Sequence, residues 1–97
     1  MSTEQTERIT QAVEKYLNRN SNLVPMHRLM NREDRQHIVR IGTSIMCTKW
    51  KVGPPGGSFV SAICNNDLQG AINRADTVNS DCIKFYVTLY ENLEYVD

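Results

Sequence analysis

Apolar residues recur along this chain at helical spacing, in stripes separated by short polar clusters. Ile9, Val13, Tyr16 and Leu17 fall at i, i+4, i+7 and i+8, the pattern of one amphipathic helix face. Ahead of them, Ser2-Thr3-Glu4-Gln5 has the form of a capping box, with Ser2 as N-cap and Gln5 three residues on. The polar run Asn18 to Asn22 ends this helix, and Leu23 to Met30, with Pro25 inside it, reads as a connector. Asn31 is a suitable N-cap for a second helix, with Glu33 and Asp34 in the first turn where the helix dipole favours acids. That helix is expected from about Arg32 to about Trp50, with Ile38, Ile41, Ile45 and the stem of Lys49 on its apolar side and Gly42 allowing close contact. The turn Gly53-Pro54-Pro55-Gly56-Gly57 stops it.

Beyond the turn, Ser58 can cap a third helix carrying Phe59, Ala62 and Ile63. Asn65-Asn66-Asp67 interrupts it, and Asn66 or Asp67 can cap a short helix bearing Leu68, Ala71, Ile72 and Ala75. Two helices and one bent helix both fit these residues. Asp76 to Ser80 reads as a turn, and Ser80 to about Glu94 as a last helix with the stripe Cys82, Tyr86, Leu89, Tyr90 and Leu93. No segment sustains period-two alternation. The expectation is an all-α fold: a compact bundle of four to five short helices, in a single helical domain over 1–97.

Size and charge sharpen the picture. A chain of 97 residues buries a modest core and gains from association with copies of itself, so an oligomer is expected. No apolar run is long enough to span a bilayer, and the first residues lack a basic and an apolar signal region, so a cytoplasmic location with no membrane partner is expected. Net charge is zero, which makes the chain a poor binder of DNA or RNA polymers. The charges are nonetheless segregated. From Arg28 to Lys51, six basic residues stand against two acidic ones, and from Val60 onward two basic residues stand against six acidic ones. Such a division suits self-association or a local anion site. Cys47, Cys64 and Cys82 are odd in number and widely spaced, as expected of buried thiols rather than of disulfides or a metal site.

No catalytic motif is present, and neither an enzyme nor a cofactor is expected. His27 and His37 read as solvated or packed side chains, and Asp67 and Asp76 as helix caps. Candidate ligand-binding residues gather around the proline–glycine corner. The amides of Gly57 and Ser58, with Lys49, Lys51 and Arg74, are candidates for phosphate contacts. Trp50, Phe59 and Tyr86 are candidate stacking faces, and Asn65 and Asn66 candidate readers of a base edge. Each has a plainer alternative: a tight turn for the glycines, core closure for Trp50, core or interface for the tyrosines Tyr86, Tyr90 and Tyr95. Arg28, Arg32 and Arg35, at helical spacing, read first as a solvated, ion-paired face and second as a phosphate-facing stripe.

The run PPGGSFVSAICNNDLQGAINRADTVN, from Pro54 to Asn79, resembles a family of small tailed-phage proteins. That family carries a Pro-Pro/Gly-Gly-Ser-Phe turn, an apolar helix, Asn-Asp-Leu, Arg-Ala-Asp, then an Asn and a closing helix ending near Tyr. This chain departs from the pattern in three ways: an extra glycine in the turn, Cys64-Asn65 before Asn66-Asp67-Leu68, and no proline after the final helix. The resemblance implies a phage immune-evasion protein of the anti-CBASS sponge type. Such a protein binds and sequesters cyclic dinucleotide signals of bacterial antiviral defence without cleaving them. It would act as a homodimer or homotetramer in the cytoplasm of the infected bacterial host. The alternative is a protein–protein interaction module that inhibits a host defence enzyme.

Overall fold

The computed structural model of the chain describes residues 3–94, which form seven α-helices and one 3₁₀ turn. There is no strand among the described residues, so the fold is all-α. Ser2, the expected first cap, and Tyr95 lie outside the described residues.

Helix α1 (Thr3–Arg19) forms where its stripe predicts, with Ile9, Val13 and Leu17 fully buried and Tyr16 half-buried. The chain then turns back through the 3₁₀ turn Ser21–Leu23 and the one-turn helix α2 (Met26–Leu29). The connector expected at Leu23 to Met30 therefore carries helical structure. One turn is too short to display a 3.6-residue period, and Pro25 stands at the N-cap of α2 rather than breaking it.

Helix α3 (Arg32–Trp50) is the central element, and α1, α2, α4, α6 and α7 pack on it. Asn31 caps it as expected, its Oδ1 accepting from the Asp34 amide at 3.0 Å. Ile38, Gly42, Ile45 and Met46 form its core face, while Ile41 and Lys49 are only half-buried. Gly42 lies where α1 and α7 converge on α3. A Cβ there would sit 2.8 Å from Val13 Cγ1 and 3.0 Å from Leu89 Cδ2. The close contact expected of this glycine is real, and it is what lets three helices share one core.

The second half is built of short helices: α4 (Ser58–Cys64), α5 (Leu68–Arg74), α6 (Thr77–Asp81) and α7 (Ile83–Asn92). Asn66, at φ 58°, separates α4 from α5, so these are two helices. Asp67 is the cap of α5, accepting from the Gly70 amide at 2.9 Å. The expected turn at Asp76 to Ser80 is mostly the single turn α6, capped by Asp76 through the Asn79 amide at 2.7 Å. Helix α7 starts at Ile83 rather than near Ser80, and Phe85 joins Tyr86 and Leu89 on its buried side. The bundle thus has more and shorter helices than the four to five read from the stripes.

Candidate functional site

The proline–glycine corner is a docking turn more than a receptor. Gly53 adopts φ 74°, a conformation open to glycine. Gly56 packs against α3: a Cβ there would lie 2.6 Å from Ser44 Oγ and 2.7 Å from Val60 Cγ1, and its amide donates to Thr48 Oγ1 at 2.9 Å. Gly57, the N-cap of α4 in place of the expected Ser58, faces open space and has an ordinary φ of −72°. The corner's own geometry therefore needs glycine at 53 and 56, while Gly57 and Ser58 are simply exposed.

The three candidate stacking rings do not meet around a cavity. Phe59 and Tyr86 are buried in the core, edge to face at 5.7 Å between ring centres, with Phe85 beside Tyr86 at 5.8 Å. The Tyr86 hydroxyl donates to Asn79 Oδ1 at 2.8 Å in the interior, and burial pushes its pKa up. These two rings present no face to a ligand, which corrects their assignment as stacking surfaces. Trp50 is half-buried and packs against the core, the plainer of its two expected roles.

The candidate cations and amides also have structural duties. Lys49 Nζ donates to the Tyr90 carbonyl and lies 4.5 Å from the Tyr90 ring centre, tying α3 to α7. Lys51 is the left-handed residue that ends α3, at φ 58°, with the next amide, Val52 N–H, donating to Cys47 O at 2.8 Å. Asn66 plays the same part at the end of α4, where the Asp67 amide donates to Ala62 O at 2.9 Å. Asn65 is exposed beside it, and Arg74 is exposed on α5, over Gly70. The ten candidates are thus distributed between core, caps and surface and form no single site.

A different constellation does come together. A groove of about 630 Å³ runs between α1 and α3, with Thr6, Thr10 and Glu14 on one wall and Arg32, Arg35, Gln36 and Arg40 on the other. Thr43 and Val39 form its floor. The helical periodicity explains the convergence. Thr6, Thr10 and Glu14 are spaced i, i+4, i+8 on α1, as are Arg32, Gln36 and Arg40 on α3, so each set is one ridge. Three guanidinium groups face one carboxylate. Among the described residues Arg32 has no ion pair, Arg35 donates to Asn18 Oδ1, and Arg40 lies 3.0 Å from His37 Nδ1. Guanidinium forks that are not neutralised by carboxylates are suited to phosphate oxygens.

The hydroxyls in the groove complement those donors. Thr43 Oγ1 donates to Val39 O at 2.8 Å and Thr10 Oγ1 to Thr6 O at 3.0 Å. With both hydrogens spent on the backbone, the two oxygens, 3.4 Å apart, keep lone pairs for a ligand's own N–H or O–H groups. The groove therefore offers donors from arginine and acceptors from threonine and Glu14. Two polar ridges facing each other were the signal that could have revealed it. Reading Arg32 and Arg35 together with Arg28 obscured it. Arg28 belongs elsewhere: its Nε donates to Asp81 Oδ2 at 2.9 Å and its Nη1 to Asp34 Oδ2 at 3.1 Å, which raises its pKa, Asp81 contributing most.

His37 Nε2 lies 3.2 Å from Asp76 Oδ2 and His27 Nε2 3.8 Å from Asp81 Oδ2. Cys47, Cys64 and Cys82 are free thiols raised by burial, Cys82 to about 11, and Cys64 Sγ donates to Ile45 O. No group of three metal-ligating side chains occurs among the described residues. No helix among them is long and apolar enough to cross a membrane. No family model, curated protein or solved structure matches the chain.

Proposed function

We propose that this protein binds a small phosphorylated ligand of the cyclic dinucleotide class in the groove between α1 and α3, and holds it without cleaving it. The observation that carries this reading is the placement of Arg32, Arg35 and Arg40 around one cavity of about 630 Å³, opposed by a single carboxylate, Glu14. That volume is in the range of pockets that enclose drug-sized molecules. The arginines supply donors for phosphates, and the Thr10 and Thr43 oxygens supply acceptors for base or sugar hydrogens. The resemblance of Pro54 to Asn79 to phage proteins supports a role in evading bacterial antiviral defence from within the host cytoplasm, as a homodimer or homotetramer. The residues that line the proposed site, all between 6 and 43, lie outside the Pro54–Asn79 run that carries the resemblance.

Calorimetric titration with a panel of cyclic dinucleotides tests the reading, followed by chromatography of the released ligand. Arg32→Ala and Arg35→Ala should each weaken binding by roughly 10- to 100-fold, the worth of a charge-assisted hydrogen bond. Gly57→Val and Trp50→Ala should leave affinity within a factor of about two, since neither residue lines the groove. Loss of binding on Gly57→Val with retention on Arg32→Ala would return the site to the corner. Release of altered nucleotide would make the protein an enzyme. No binding by any member of the panel would favour the alternative, an interaction module acting on a host enzyme.

A further inference from the structure

His37 lies outside the lining of the α1–α3 groove yet holds one of the groove's arginines. Its Nδ1 is 3.0 Å from Arg40 Nη2, and Arg40 lines the groove. A guanidinium only donates, so Nδ1 accepts and carries no hydrogen. In this contact the imidazole is neutral, with its one ring hydrogen on Nε2. Nε2 is buried and has no aligned hydrogen-bond partner. Asp76 Oδ2, 3.2 Å away, is near enough for an ion pair but off the line of a directed hydrogen bond. Asp76 is itself fixed, because its Oδ1 caps α6 by accepting from the Asn79 amide at 2.7 Å.

The two ring nitrogens therefore favour opposite states. The neutral ring satisfies Arg40 and leaves Nε2–H without a directed acceptor. The protonated ring sets its charge beside the Asp76 carboxylate, and its new Nδ1 hydrogen meets the Arg40 N–H, so Arg40 has to leave. Few other charges act on this ring. Asp34 of α3 and Asp81 of α6 are held by Arg28 of α2, with His27 also beside Asp81. Glu33, one turn before His37 on α3, is exposed, and Glu14 of α1 stands on the opposite wall of the groove.

We propose that His37 is a positioning residue for Arg40 and makes phosphate binding in the groove proton-linked. Protonation frees Arg40 from the ring and adds a positive charge beside the groove, so acid strengthens the hold on phosphate. Linkage runs both ways: a phosphate that draws Arg40 off Nδ1 favours the protonated ring. The inference rests on the groove being the phosphate site, and its first test does not need a ligand.

Nuclear magnetic resonance of the full chain without nucleotide reads the device directly. Between about pH 8 and about pH 5.5 an imidazole changes charge. At the upper pH, His37 should be the Nε2–H tautomer, with Nδ1 shifted by an accepted hydrogen bond that Arg40→Ala abolishes. Carbon-detected guanidinium spectra should show Arg40 held at the upper pH and turning freely at the lower one. An Nδ1–H tautomer, or an Arg40 indifferent to pH, overturns the proposal whatever the protein binds. Calorimetry with cyclic di-GMP and cyclic di-AMP, whose phosphodiesters keep their charge over this range, is the second test. Affinity should rise by about fivefold from the upper to the lower pH, the effect of a partly screened charge pair. His37→Gln, which accepts from Arg40 but does not titrate, should flatten that rise, whereas His27→Gln should preserve it. A rise that survives His37→Gln, or a flat wild-type profile, overturns the link between proton and phosphate. Absence of nucleotide binding together with the expected ring and guanidinium signals would sink the groove's phosphate assignment and the linkage, leaving His37 as the residue that positions Arg40.

Discussion

Lys51 holds a backbone conformation better suited to glycine. Its φ of 58° lets the Val52 amide reach Cys47 O and close the end of α3. A side chain in that region costs about 1–2 kcal/mol, and glycine removes the cost while adding freedom to the unfolded chain. Lys51→Gly should therefore stabilise the protein by about 0.5–1 kcal/mol in urea unfolding, with an unchanged m-value. The same residue shows where sequence reading stops at this scale. Glycines at 53, 56 and 57 mark the turn, and Asn66 is a residue type that accepts the left-handed region, but nothing in the residue types shows that Lys51 is left-handed or that Gly57 needs no special φ. Tyr86 is a parallel case. Its stripe is legible, yet only packing against Phe59 and Phe85 shows that the ring is interior.

At the scale of elements, the convergence of α1, α3 and α7 on Gly42 decides whether the core closes. Gly42→Ala gains about 1 kcal/mol of helix propensity. It also pushes a methyl into Val13 and Leu89 at 2.8 and 3.0 Å, an overpacking that costs about 1–3 kcal/mol. The balance should be a net loss of about 1 kcal/mol, and Gly42→Leu should abolish the cooperative thermal transition. The longer elements α1, α3 and α7 were readable because their stripes repeat. The one-turn helices α2 and α6 were not, since a single turn holds no period to detect. The α1–α3 groove was only half readable. Its arginines stood out, but the facing row Thr6, Thr10 and Glu14 acquires meaning only once α1 is known to lie along α3.

For the whole molecule, buried acids set the alkaline limit. The Cys82 thiol is raised from 9.0 to about 11, first by burial and then by Asp81, and burial also raises Tyr86 above its ordinary 10.0. The folded state thus keeps protons that the unfolded chain has released. Stability from these groups is fully present below pH 9.0 and declines as pH rises toward 11. Unfolding monitored across that range should show the fall. Cys82→Ala should lower stability at neutral pH through lost packing yet flatten part of the alkaline slope.

The wall of the α1–α3 groove and the interior face of α3 are nearly separate sets of residues. Arg32, Gln36 and Arg40 are exposed, whereas Ile38, Gly42, Ile45 and Met46 hold the helices together. Substitutions along the outer row change the donors and charge of the groove while leaving the frame's folding energy almost untouched. Under the proposed ligand-binding role, a lineage carrying this chain changes its guest without first having to accumulate compensating changes inside.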